Sequence, residues 1–426
     1  MGRFTMRSIC GKLADYRGII GRKCVNINKH GFIESVTSIP RYPDVVKFDY
    51  SKFLIVPGFI DIHVHLRDFE LSYKEDIVTA ARSAVSAGIT LVIDMPNTRP
   101  FLNTHENLSK RFSELKRKSL ADYSVYAGVP YSADELTRIL RLPIAGVKVY
   151  PNDLGKKHEI ISSLTKSEVL IILHPELPEA EKPVLESVNS IEAHRGCFWE
   201  YASLNYFSEI YKPKKLHVTH VSCASTIILA KKYNYTVDVT PHHLLLDLNQ
   251  KNSSNECLMK VNPPIRSHIE RTRIFNYLLE DNIDAIASDH APHHPKEKID
   301  PLSCAPGIPW LEHWPSIVFC LVKAKILSLF QFLRLVVQGP ARVLGLENIY
   351  GRIDRGFRAN LSVIEPSEYR VYNIEFSKAK NIPYEKWTSC MEVHKTIIGG
   401  VIVYDEGTFL EKPEPINPFS LLDMSN

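Results

Sequence analysis

The sequence lacks several things, and each absence narrows the function. No apolar run approaches the roughly 20 residues needed to cross a bilayer. No apolar core follows the N-terminal Met-Gly-Arg-Phe-Thr-Met-Arg-Ser, so no secretory leader is expected. The eight cysteines (Cys10, Cys24, Cys197, Cys223, Cys257, Cys304, Cys320 and Cys390) include no Cys-x-x-Cys pair. That spacing argues against a disulfide framework or a thiolate zinc site and favours a reduced, cytoplasmic setting. No Gly-x-Gly-x-x-Gly or Gly-x-x-x-x-Gly-Lys-Ser/Thr follows a strand-like run, so nucleotide-phosphate motifs find no support. A surplus of one charge is missing too. Lys plus Arg number 52 against 48 for Asp plus Glu, a formal net charge of +4. Neither nucleic acid nor an anionic membrane is therefore expected as a partner. There is no internal repeat and no low-complexity segment.

What is present is a chain of 426 residues, 44% hydrophobic, enough for one large domain and a smaller one. Short apolar, β-rich runs recur at Leu54–Leu66, Thr90–Asn97, Tyr123–Pro130, Ala145–Tyr150, Val169–Pro175, Leu216–Ser222, Tyr235–His243 and Asp284–His293. Between them lie helical stretches near Ser72–Gly88, Thr104–Lys118, Ala133–Arg141, Lys157–Lys166, Val184–Ile210, Ala224–Tyr233 and Ser267–Leu279, and another follows near Leu311–Val336. Eight strands alternating with helices predict a parallel (β/α)8 barrel over residues 57–350, with a doubly wound open sheet as the alternative. Residues 1–56 and 351–426 contain short strand-like pieces and turns. They are expected to pair into one small β-domain flanking the barrel, ending in a loose tail after about Pro413.

Active sites of such barrels lie at the C-terminal strand ends, so the polar residues there carry the functional reading. The first run contains Pro57-Gly-Phe-Ile-Asp-Ile-His-Val-His-Leu-Arg67. Residues two apart on a strand share a face, so His63 and His65 aim at one point and Arg67 follows with the same parity. Later strand ends contribute Asn97, His174, His220 and Asp289, and Lys148 lies inside the fourth barrel run. Four imidazoles and a carboxylate suit a two-metal zinc site. Lys148 has no lone pair when charged. Buried beside cations it loses its proton, and the free amine can take up carbon dioxide to become a bridging carbamate. Taken singly, each residue has a plainer reading: a structural histidine, a snorkelling lysine, an N-capping aspartate. Their recurrence at one end of successive strands favours the metal site. His217 has the wrong parity relative to His220 to share its role, and His242, His243 and His294 are expected to support ligands or the fold rather than to bind metal.

These motifs, with Asp94-Met-Pro-Asn-Thr-Arg-Pro100, Gly146-Val-Lys148, Leu173-His-Pro175, His217-Val-Thr-His220, Val261-Asn-Pro-Pro264 and Ala287-Ser-Asp-His-Ala-Pro-His293, span nearly the whole barrel. In that order they resemble the lysine-bearing dihydroorotases of the amidohydrolase superfamily. The resemblance implies two zinc ions, one bound by His63 and His65 and the other by His174 and His220, bridged by N6-carboxylated Lys148. It implies Asp289 as a ligand of the first zinc and as general acid and base for a metal-bridging hydroxide. It assigns substrate contacts to His65, Arg67, Asn97 and His293 around a carboxylate, and to Asn262, Pro306 and Gly307 around a dihydropyrimidine ring. The implied reaction is the reversible cyclisation of N-carbamoyl-L-aspartate to (S)-dihydroorotate in pyrimidine synthesis. Association with aspartate carbamoyltransferase or into a homo-oligomer would accompany it. The sequence departs from the family at Asp68-Phe-Glu-Leu-Ser, where many relatives have Glu-Pro-Gly after the arginine, and at Pro151-Asn-Asp-Leu-Gly155, which lacks a Thr-Phe pair. Allantoinase and dihydropyrimidinase share the ligands but act on rings without this carboxylate, and Arg67 speaks against them. A catalytically inactive structural partner would be expected to have lost ligands, and none is missing.

Overall fold

The computed structural model describes residues 6–178, 194–301, 303–410 and 412–422. Two sheets organise these residues. The first, in the order of its strands, runs β17(Thr408–Phe409), β16(Val401–Asp405), β15(Thr388–Ile398), β14(Leu361–Arg370), β5(Leu54–Pro57), β1(Arg7–Asp15), β2(Gly18–Ile27) and β3(Ile33–Thr37), with β4(Asp44–Lys47) also pairing with β1. Both chain ends thus build it, joined where β5 pairs antiparallel with β14. The second sheet contains eight parallel strands: β6(Phe59–Val64), β7(Ile89–Asp94), β8(Asp122–Gly128), β9(Gly146–Val149), β10(Ile171–Leu173), β11(Leu216–Val218), β12(Thr236–Val239) and β13(Ala285–Ile286). A parallel bridge between Val64 and His290 brings its last edge back to its first. Strands such as Ile89-Thr-Leu-Val-Ile-Asp94 are buried throughout, as a sheet covered on both faces requires.

Local sequence explains several boundaries. Asp76 caps the helix Ile77–Ser86 in a reciprocal capping box with Thr79, and Thr104 caps His105–Lys118, each satisfying an amide with no helical partner. The run Leu54–Leu66, expected as one strand, divides between the two sheets at Gly58. A Cβ there would lie 2.1 Å from the Thr90 side chain, so glycine permits the close passage from one sheet into the other. The run Tyr235–His243 also divides. Its strand ends at Val239, and Thr240 caps the short helix Pro241–Leu245, which holds His242 and His243. The helical region near Leu311–Val336 is broken into Trp314–Val318, Cys320–Lys323 and Leu329–Leu333, followed by a π-turn over Arg334–Gln338. The expected helix near Val184–Ile210 is present as Cys197–Tyr211, and its earlier part lies outside the described residues.

Two expectations need correction. All eight cysteines are paired: Cys10–Cys24, Cys197–Cys223, Cys257–Cys304 and Cys320–Cys390. Sequence separations of 14 to 70 residues hid pairs that only the fold makes adjacent. Cys10 and Cys24, for example, face each other across β1 and β2. The tail after Pro413 is not loose over its described part. The Ile416 amide donates to Asp122 at 2.7 Å, Asn417 donates to the Pro143 carbonyl at 2.7 Å, and Phe419 is buried.

Asp122 joins the two sheets. Its carboxylate accepts from Arg358 Nε at 3.2 Å, Tyr350 Oη at 2.8 Å and Asn360 Nδ2 at 2.8 Å. Removing one partner of a buried ion pair leaves a charge without compensation. Arg358→Met is therefore expected to lower unfolding free energy by about 3 kcal/mol, read by denaturant titration. An unchanged midpoint would show that the other three donors suffice.

Candidate active site

The strand ends and the loops that follow them bring every candidate ligand and substrate contact named above to one cleft of about 540 Å³. His63, His65, Arg67, Asn97, Lys148, His174, His220, Asn262, Asp289, His293, Pro306 and Gly307 all line it. The backbone is bent there: Arg67, Asp68 and Phe69 have φ of 52°, 63° and 49°, His220 has 43° and Asp289 has 46°. Side chains other than glycine rarely adopt this left-handed conformation, and it gathers at functional sites where the surroundings enforce it.

Three of the four histidines have their tautomer set from behind. His63 Nδ1 lies 2.6 Å from Thr219 Oγ1, whose single proton goes to Asp238 Oδ2 at 2.8 Å. His63 Nδ1 therefore carries hydrogen and Nε2 keeps its lone pair. His65 Nδ1 donates to Asn97 Oδ1 at 2.6 Å, again freeing Nε2. His174 is reversed: Nε2 donates to Glu176 Oε2 at 2.7 Å and Nδ1 is free. Such outer partners orient imidazoles that ligate metals. Burial, with crowding by Lys148 and the other histidines against gaining a second proton, holds His63 and His220 well below the ordinary imidazole value, and burial lowers His65 as well. Neutral imidazole is the form a metal needs.

Donor atoms of His63, His65 and Asp289 lie within 4.8 Å of one another. Asp289 Oδ1 is 3.2 Å from His63 Nε2 and 3.1 Å from His65 Nε2. The His174 and His220 rings are 4.4 Å apart, and those of His63 and His220 5.1 Å. Lys148 is 1% exposed, and its Nζ has no hydrogen-bond partner. Burial brings its ammonium down to about 7, against the opposing pull of Asp289 and Asp238. A buried amine without an acceptor, among neutral imidazoles with free lone pairs, fits a metal centre and fits a lysine that becomes an anion by taking up carbon dioxide.

The rest of the cleft suits an anionic ring. Arg67 is buried and, among the described residues, has no carboxylate partner. Its contacts are the Pro292 carbonyl at 3.4 Å and His293 Nε2 at 3.4 Å. A buried cation without an ion pair is costly unless a ligand supplies the anion. Asn97, having spent its oxygen on His65, keeps Nδ2 as a donor. At the opposite wall, the Gly307 amide donates to the Lys260 carbonyl at 2.8 Å. Buried Lys298 donates to the carbonyls of Ala305 at 2.8 Å and Gly307 at 2.9 Å. The Cys257–Cys304 bridge ties together the same two segments, so the stretches bearing Asn262 and Gly307 are latched to each other.

Several supporting residues went unread in the sequence. Asp238 accepts from Thr219, His217 and the His220 amide, and Glu176 pairs with Arg195 as well as His174. Asp61 accepts from the amides of His63 and Ser288 and from Trp314 Nε1, and burial raises its carboxyl to about 7. A signal existed for Asp238 and Asp61, which are acids inside otherwise apolar strands. None existed for Arg195. His217 and His243 are structural as expected: His217 bonds to Thr236 and Asp238, and His243 to the Pro263 carbonyl.

The model of the amidohydrolase family matches residues 54–138 and 190–403. The chain is 35% identical over 416 residues to the dihydroorotase of Sulfolobus acidocaldarius, covering 97% of this chain and 98% of that one. It is 36% identical over 397 residues to the dihydroorotase of Saccharolobus solfataricus, covering 93% and 94%. Among solved structures it is similar to the L-hydantoinase (dihydropyrimidinase) of Arthrobacter aurescens, with a TM-score of 0.85 and 21% identity over 96% of this chain and 98% of that one. It also resembles the dihydropyrimidinase of Brevibacillus agri, with a TM-score of 0.83 and 19% identity over 96% and 97%. At these identities the structures speak for the fold alone. No helix among the described residues is long and apolar enough to cross a membrane.

Proposed function

Because the chain belongs to the amidohydrolase family, we propose a full reading of its chemistry as that of a dihydroorotase. It is a hydrolase of cyclic amides that interconverts (S)-dihydroorotate and N-carbamoyl-L-aspartate, and it uses a metal cofactor. In this reading the cofactor is two zinc ions. His63, His65 and Asp289 would hold one and His174 and His220 the other, with N6-carboxylated Lys148 supplying an anionic ligand to both. When bound, the ions polarise the ring carbonyl and make water acidic enough to lose a proton near neutrality. The protein's own groups do the rest. Arg67, aided by Asn97 and His293, receives the carboxylate through charge-assisted hydrogen bonds. Asn262 and the Pro306-Gly307 backbone hold the ring. In hydrolysis Asp289 takes the proton of the attacking water and delivers it to the leaving ring nitrogen. In the biosynthetic direction it takes a proton from the attacking carbamoyl nitrogen, and the ring closes with loss of water. The cytoplasm is the compartment this reading favours. Four disulfides in that compartment would be the pattern seen among intracellular proteins of hyperthermophiles.

The observation that carries the substrate is Arg67, a buried guanidinium beside the ligand cluster without an ion pair among the described residues. The test is a paired assay of L-dihydroorotate against dihydrouracil and allantoin on purified protein, with metal content read on the same sample. A strong preference for dihydroorotate with two zinc per chain is expected. Preference for a neutral ring would assign the chain to a neighbouring cyclic amidase, and bound metal with no turnover would leave a structural partner.

A further inference from the structure

Arg67 does not approach the carboxylate position alone. Lys74, from the loop before the helix Ile77–Ser86, places Nζ 3.2 Å from His293 Nδ1 and 2.8 Å from Glu297 Oε1. The same imidazole has Arg67 Nη2 at 3.4 Å from Nε2. Ammonium and guanidinium can only donate, so both ring nitrogens face donors, and a neutral imidazole accepts at one of them. The Lys74 contact is the shorter. Glu297 Oε1 lies 2.8 Å from Lys74 Nζ, while Oε2, 3.4 Å from His293 Nδ1, accepts from the His294 amide at 3.0 Å, so the carboxylate is engaged by the ammonium and the backbone and makes no hydrogen bond to Nδ1.

We infer that Lys74 is a positioning residue for substrate recognition: its ammonium holds His293 as the Nε2–H tautomer, so that His293 donates to the substrate carboxylate beside Arg67. The inference rests on the carboxylated substrate argued above. Two further observations support it. Burial, with Arg67 and Lys74 close by, holds His293 down at about 3, so the ring is neutral and its tautomer is the variable that matters. The lysine is also fixed relative to Arg67. The Asp68 amide donates to the Glu75 carbonyl at 3.0 Å, and the Glu75 side chain is buried against Thr79 and Ser377. That bond pins the Lys74-Glu75 segment to the left-handed turn that aims Arg67. With the carboxylate bound, Arg67 turns its hydrogens to the anion and Nε2–H does the same, so neither ring nitrogen is left facing a wrong partner.

The experiment uses metal-loaded wild type, Lys74→Met and Lys74→Arg. It reads KM and kcat for L-dihydroorotate, the Ki of dihydrouracil as a competitor, and the ¹⁵N shifts of the His293 ring. Lys74→Met is expected to raise KM about tenfold, the lower end of what a hydrogen bond to a charged group contributes. The change in kcat should be small, the Ki of dihydrouracil should hold, and the ring signals should move from a single tautomer toward an average. Lys74→Arg is expected to restore both KM and the tautomer. A parallel rise in KM and Ki, or an unchanged tautomer in Lys74→Met, would overturn the inference. Failure of the wild type to turn over dihydroorotate would instead overturn the reading it rests on. The ring shifts would still report whether Lys74 sets the His293 tautomer.

Discussion

Asp289→Asn is expected to lower kcat for L-dihydroorotate by about 10²–10⁴-fold, the usual contribution of a positioned general acid or base, with most of the metal still bound. The carboxylate sits at the end of β13 with Oδ1 about equally distant from His63 Nε2 and His65 Nε2. Asparagine keeps the size and an oxygen that can still face the metal position, but it cannot carry a proton between water and ring nitrogen. Five other ligand positions stay filled, so metal content should fall much less than turnover. The measurement is kcat and metal stoichiometry on one preparation. Parallel loss of metal and rate would reduce Asp289 to a ligand, and a near-normal rate would remove it from proton transfer altogether.

Lys148→Met is expected to abolish metal retention at the shared position and to bring turnover close to background. Methionine fills the volume of the side chain but offers neither an amine nor a carbamate. The apo variant should be no less stable than apo wild type, because an unpartnered buried amine is exchanged for an apolar group of similar shape. That expectation separates loss of metal from loss of fold: thermal midpoints of the two apo proteins are compared alongside their metal content. Intact mass adds a direct reading. Wild type should carry the added mass of one carbon dioxide, lost on acidification, and Lys148→Met should carry none. A variant with full metal content and normal turnover would show that Lys148 is only a buried strand residue.

Much of the site was legible because strand geometry is periodic. His63, His65 and Arg67 share parity, and the barrel rule places every strand's C-terminal end on one rim, so these three with Asn97, Lys148, His174, His220 and Asp289 were assignable to one cleft from the sequence, whereas Asn262, His293, Pro306 and Gly307 came only with the family resemblance. The flanking sheet was legible as two β-rich ends, and its pairing of β5 with β14 follows that reading.

Other features had no local signature. The break at Gly58 depends on Thr90, which lies on the neighbouring barrel strand. The cysteine spacing pointed away from disulfides, yet all eight pair, because a bridge requires proximity in space and two of the four join residues 47 and 70 positions apart. Arg195 behind Glu176 and His174, Lys298 under the Gly307 loop, and Lys74 beside His293 are basic residues that composition would send to the surface. The sequence by itself determined the alternation of strands and helices, the candidate ligand set and the chemistry such groups can perform, since these depend on residue type and short-range periodicity. Only the tertiary structure decided which nitrogen of His63, His65 and His174 keeps its lone pair, which charges lie buried without a partner, and which loops are fastened together. Those properties are set by contacts between residues far apart in the chain.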